Sequence, residues 1–185
     1  MDRDRQWYAD WIEDLHETER EGEIRRAKWL HEAKPKFEGR QIFHGGFTSS
    51  NLYEEAQYAF LHGLFQTCMI TSLSVIEQEL IGILHAAGVD GIENQAAATA
   101  IDEAADRDLI SPEEEDLLHQ IRKVRNPTVH FRVGVDDDAF PRRAIEKGRS
   151  PIELAEEEAK TALLAMFNII EHGGIGTTTN NDQNS

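Results

Sequence analysis

The stretch that decides the fold is NLYEEAQYAFLHGLFQTCMITSLSVIEQELIGILHAA, residues 51 to 87. Leu61, Leu64, Phe65, Cys68, Met69, Leu73, Ile76, Leu80, Ile81 and Leu84 recur at helical intervals rather than alternating as in a strand. They cover most of the helical circumference, so the segment is expected to be a core helix surrounded by other helices or by a second copy of the chain. Ser50 or Asn51 can cap its start, with Glu54 three residues after Asn51 completing a capping box, and Gly88 follows its last turn. Gly63 and Gly82 lower helix propensity inside this run but permit close backbone approach.

Helical signals continue on both sides. Upstream, Tyr8, Trp11, Ile12 and Leu15, then Ile24, Ala27 and Leu30, predict a helix over the first 34 residues, weakened at Gly22 and ended by Pro35. Residues 35 to 50 read as a loop, and Trp7, Trp11 and Trp29 are expected to dock the first helix. Downstream, Ala96, Ala97, Ala100, Ile101 and Ala104 mark a short helix over 94 to 107. Ser111-Pro112 with Glu114 starts the next helix, whose apolar face is Leu117, Leu118, Ile121 and Val124 and whose end is disturbed by Asn126-Pro127. Residues 132 to 149 read as a loop, with a weak strand-like alternation at Phe131, Val133 and Val135. Ser150-Pro151 with Glu153 repeats the start signal, and the last helix carries Ile152 to Ile170 before stopping at Gly173-Gly174. The pattern predicts an all-α chain, an antiparallel bundle of four to five helices. Its expected parts are a helical arm and loop (1–50), the bundle (51–172) and a polar, disordered tail (173–185).

At 185 residues the chain is long enough for one domain with a core that needs neither disulfides nor metal. Its single cysteine, Cys68, excludes an intrachain disulfide framework and a cysteine zinc cluster, and fits a reducing, cytoplasmic setting. No signal sequence and no run of 18 apolar residues is visible, so no membrane partner is expected. With 35 acidic and 19 basic residues the net charge is −16, which argues against nonspecific coating of nucleic acid or an anionic membrane. The distribution is uneven. Residues 41 to 106 contain no Lys or Arg, whereas 122 to 149 carry eight basic against four acidic side chains, a local excess of +4.

That basic island contains IRKVRNPTVHFR, Ile121 to Arg132, where Arg125, Asn126 and His130 fall within six residues beside Pro127. No phosphate-cradling glycine loop, serine-hydrolase elbow or histidine pair with zinc spacing accompanies it. The same Arg-to-His spacing recurs at RAKWLH, Arg26 to His31, without the Asn. His16, His31, His44, His62, His85, His119 and His172 show no ligand spacing and read as structural. Glu77 lies on the apolar stripe of Ile70, Leu73, Leu80 and Leu84, where a buried carboxylate needs a partner.

RNPTVH, following a long apolar helix with an acid in its stripe, resembles the HEPN superfamily of helical ribonucleases and nucleotide-binding modules. The resemblance spans about Leu52 to His172 and rests on the Arg-Asn-x3-His signature. It implies a metal-independent endoribonuclease, with no cofactor, in which Arg125, Asn126 and His130 are catalytic. Arg125 would hold the phosphate and Asn126 would orient. His130 would transfer protons as the 2′-hydroxyl attacks, leaving a 2′,3′-cyclic phosphate and a 5′-hydroxyl. Glu77 would support the site by pairing with Arg125, and Arg122, Lys123 and Arg132 would bind RNA phosphates. The resemblance further implies a homodimer with a composite cleft, in a toxin or defence effector that has a cognate antitoxin or other protein partner. The alternative is a non-catalytic HEPN-like dimeric module that binds a nucleotide, RNA or a protein.

Overall fold

A computed structural model describes residues 2–36, 42–129 and 140–175, and among these every regular element is helical. The elements are α1 (Asp2–Ala33), α2 (Gly46–Leu61), α3 (Phe65–Ala86), a 3-10 turn (Ile92–Asn94), α4 (Ala97–Asp106), α5 (Pro112–Val129), α6 (Phe140–Glu146) and α7 (Pro151–Ile175).

The run 51 to 87 is two helices rather than one. The break falls at Gly63, whose φ of +72° is a left-handed conformation that only glycine adopts at little cost. Gly63 N–H donates to Phe60 O and Leu64 N–H to Ala59 O, which is the Schellman geometry that satisfies the last carbonyls of α2. The apolar periodicity runs straight through this turn, so the pattern alone merges α2 with α3.

α3 is the central element, in contact with α2, α4, α5 and α7. Cys68, Leu73, Val75, Ile76, Leu80 and Leu84 on α3 are fully buried, and meet Tyr53 and Phe60 from α2, Leu118 from α5, and Leu163, Met166 and Phe167 from α7. This helix is long and apolar enough to pass as a membrane span by length and composition, but half of that window is buried by its neighbours. Burial pushes the Cys68 thiol up to about 12, with a weak contact to the Ser72 hydroxyl acting against it.

α2 begins at Gly46, five residues before the capping box read at Asn51, because its N-terminus is capped from a distance. Glu79 of α3, 1% exposed, accepts hydrogen bonds from His44 N–H (2.8 Å), Gly45 N–H (3.2 Å) and the Ser49 hydroxyl. Gly82, one turn further along α3, admits the same segment: a Cβ there would lie 2.5 Å from the carbonyl carbon and oxygen of His44.

The arm α1 is continuous through Gly22, where an added Cβ would come within 2.8 Å of the Arg26 guanidinium. Arg26, 4% exposed, donates from Nε to Leu61 O (2.7 Å) and stacks 5.8 Å from the Phe65 ring centre. Glu23 pairs with His62 at 2.7 Å and Arg25 with Glu156 of α7 at 2.9 Å. Trp29 packs on Phe60 as expected, whereas Trp7 and Trp11 are 60% and 52% exposed and stack on each other instead of docking.

The two downstream start signals are borne out: Ser111 with Glu114, and Ser150 with Glu153, exchange reciprocal backbone and side-chain hydrogen bonds. Three boundaries differ from the sequence reading. α5 continues through Asn126-Pro127 to Val129, since a proline in the last turns removes only one backbone hydrogen bond. Inside the expected loop 132–149 lies α6, too short to show a period, held by buried Ala144 and by the ion pair of Arg143 with Glu158. α7 passes Gly173-Gly174 and ends at Ile175. The alternation at Phe131, Val133 and Val135, and residues 176 to 185 of the expected tail, lie outside the described residues.

Candidate functional site

The last turns of α5 carry the basic residues singled out by the sequence. Leu118 and Ile121 are buried, with Leu117 and Val124 partly so, which fixes the inward face of the helix against the core. Relative to that face, Arg125, Arg122 and Asn126 fall within an arc of about 100° at 3.6 residues per turn. All three are half-buried, and Lys123 is exposed. Acids fill the first turn (Glu113, Glu114, Glu115), so the charge gradient of α5 follows its own dipole.

The two arginines are chemically unusual for this chain. Their Nε atoms are shut off from solvent and have no hydrogen-bond partner among the described residues. Among the described residues neither guanidinium forms an ion pair, although acids outnumber bases 35 to 19. Arg26, which opens the other Arg-to-His spacing, is the contrast: a backbone carbonyl, Glu19 and an aromatic ring occupy it, so that instance is a structural anchor. With Nε sealed, it is the terminal Nη donors of these guanidinium groups, outside any ion pair among the described residues and beside an Asn, that can meet an anion such as a phosphate.

Glu77 is half-buried and makes no ion pair with Arg125 or with any other described residue. The buried acid of α3 is Glu79, two positions on, and its partners are the amides ahead of α2 rather than an arginine. The sequence stripe misplaced the acid because position 77 sits at the stripe's edge, while the His44–Gly45 amides, remote in sequence, supply the donors that make burial at 79 tolerable. His130 and Arg132 lie outside the described residues, so the structure brings together Arg122, Arg125 and Asn126 only.

A cleft of about 300 Å³ opens between α5, α6 and α7. Its floor is Met69, Leu117, Ile121 and Val124, and its rim carries the paired Arg143 and Glu158. Burial raises the Glu158 carboxyl above the ordinary range, with Arg143 pulling the other way. Gln120 and Val124, which line this cleft, lie on the far side of α5 from Arg122 and Asn126, whereas Arg125 is only about 40° around the helix from cleft-lining Ile121.

Comparison of the chain with protein-family models, with curated proteins and with solved structures finds no match.

Proposed function

We propose that the chain is a HEPN-like antiparallel helical bundle that acts as a homodimeric, metal-independent endoribonuclease, a toxin or defence effector. The observation that carries this reading is the pair of half-buried arginines, Arg122 and Arg125, which form no ion pair among the described residues of a chain whose net charge is −16. Half-burying a guanidinium without a carboxylate is unfavourable unless an anion completes it. The motif that starts at Arg125 supplies the rest of the chemistry.

In this reading Arg125 and Arg122 hold the scissile phosphate and stabilise its developing charge. One His130 of the dimer accepts the 2′-hydroxyl proton as that oxygen bonds to phosphorus. The second His130 donates a proton to the departing 5′-oxygen, so the products are a 2′,3′-cyclic phosphate and a 5′-hydroxyl. Asn126 orients the phosphate or the imidazole. Lys123 and Arg132 extend the phosphate track.

A second reading, a HEPN-like module that binds a nucleotide, RNA or a protein without cleaving, is favoured by the net charge of −16, against which the local excess of +4 over residues 122–149 is small. One experiment separates the two. Purified protein is incubated with total RNA and transfer RNA in EDTA, comparing wild type with His130→Ala and His31→Ala. Cleavage to cyclic-phosphate ends that is lost only in His130→Ala supports the enzyme. Absence of cleavage, with RNA retention that falls in Arg125→Ala, supports the module. A monomer in light scattering at micromolar concentration overturns the composite site.

A further inference from the structure

Asp102 of α4 and Glu115 and His119 of α5 bring three metal-ligating atoms within 4.8 Å of one another. Glu115 and His119 are one turn apart and face the same way, and Asp102 reaches them from the neighbouring helix, with its Oδ1 2.9 Å from His119 Nε2. The local structure explains the convergence. Asp108 takes a left-handed φ of 55° and the Leu109 N–H closes back on Ala104 O, which turns the chain sharply from α4 into α5. Buried Ala104 and Leu118 then pack the two helices together.

The charges around this group are unbalanced. Glu114 is engaged with Ser111 in the cap of α5, but Glu115 has no ion-pair partner among the described residues. Arg107, which follows the last turn of α4, is taken by Glu103 at 2.6 Å. The imidazole bonds Asp102 alone, and half-buried Glu115 is left within 4.8 Å of both, beside a carboxylate of like charge. A divalent cation removes that repulsion, and the donor set decides which kind. One imidazole nitrogen and two carboxylate oxygens suit a first-row transition ion such as zinc better than magnesium, which prefers oxygen alone and keeps its waters.

We propose that Asp102, Glu115 and His119 form a divalent transition-metal site across the α4–α5 seam, with zinc the best fit and the remaining position open to solvent. At ligand distances of about 2.1 Å, tetrahedral donors stand about 3.4 Å apart, so the observed spacing closes with small side-chain rotations. Asp102 is exposed and free to make them. The bound ion clamps α4 to α5. It sits on the stripe Glu115, His119, Arg122, Asn126, about 10 Å along the axis from Asn126. The site stands on its own geometry and does not depend on the ribonuclease reading.

The test is calorimetric titration of zinc chloride into the tag-free, chelator-treated full chain, with thermal unfolding in parallel. Wild type is expected to bind one zinc per chain at this site and to unfold at a higher temperature when loaded. Asp102→Asn, which keeps size and shape, and His119→Ala each weaken binding at least about tenfold and abolish the thermal shift, while His31→Ala changes neither. Helix content by circular dichroism establishes that the variants are folded. No zinc binding by wild type, or affinity within threefold of wild type in both site variants, overturns the proposal. Equal competition by magnesium overturns the assignment to a transition ion.

Discussion

Replacing Glu79 by alanine removes the acceptor for three donors at once: the amides of His44 and Gly45 and the hydroxyl of Ser49. The site is sealed, with Glu79 at 1% and Ser49 at 0% exposure, so water does not take over these contacts without opening the seam between α2 and α3. Hydrogen bonds to a charged group contribute about 1.5 kcal/mol or more each, and an orphaned buried donor costs a similar amount. Losing the acid also removes its own desolvation cost, which leaves a net destabilisation of about 3 kcal/mol. For a chain of this size that corresponds to a fall in Tm of roughly 6 to 12 °C. Glu79→Gln keeps one acceptor oxygen but turns an amide toward donors, so it should lose roughly half as much. The assay is thermal and urea unfolding followed by far-ultraviolet circular dichroism, with Glu77→Ala as the internal comparison. Glu77 has no ion-pair partner among the described residues, so its replacement should fall within about 0.5 kcal/mol of wild type. If Glu79→Ala is no more destabilised than Glu77→Ala, the remote cap is not what holds the start of α2.

Other outcomes follow from the same packing. Gly82→Ala would stabilise an open helix by about 1 kcal/mol, but here the new Cβ meets the His44 carbonyl at 2.5 Å, so destabilisation of about 2 kcal/mol is expected in urea unfolding; a gain would show the seam to be loose. Cys68, fully buried and with its thiol raised to about 12, should react with a disulfide reagent at pH 8 roughly a thousandfold more slowly in the native than in the urea-unfolded chain; comparable rates would contradict that burial. Glu158 has a folded pKa raised above the 4.5 of a free side chain, so the native state holds its proton more tightly and the stability it contributes is lost as pH rises through the raised value. Urea midpoints of Glu158→Gln relative to wild type should therefore improve with pH above about 4.5, and a constant difference would refute the sign.

Most of the helices were legible in the sequence because local chemistry marks them. Ser111-Pro112-Glu114 and Ser150-Pro151-Glu153 carry their own caps, and both caps form as read. What escaped depended on distant partners. The start of α2 is set by Glu79, about thirty residues away, and α6 by Ala144 burial and the Arg143–Glu158 pair. The break at Gly63 was hidden because apolar residues flank it in helical register, although a glycine between two long apolar runs was the available signal. Of the candidate site, Arg122, Arg125 and Asn126 could be placed together from spacing alone, whereas the arginines' lack of partners could not. His119 was set aside for want of ligand spacing, yet Glu115 stands four residues before it; the missing ligand, Asp102, comes from another helix.

The arm α1 behaves mechanically as a lever clamped at one end. Among the described residues its first polar pairing with the body is Glu23 with His62, reinforced by Arg25, Arg26 and Trp29, and Trp7 and Trp11 are more than half exposed. From Glu23 to Asp2 the helix extends about 32 Å at 1.5 Å per residue. A tilt of about 10° at the clamp sweeps the tip through about 5 Å, while the ion pairs of Glu23 and Arg25, the Arg26 bond to Leu61 O and the packed Trp29 indole each adjust far less. Small events at the α2–α3 turn, where Leu61 O holds Arg26, are thereby magnified into displacements of the aromatic tip.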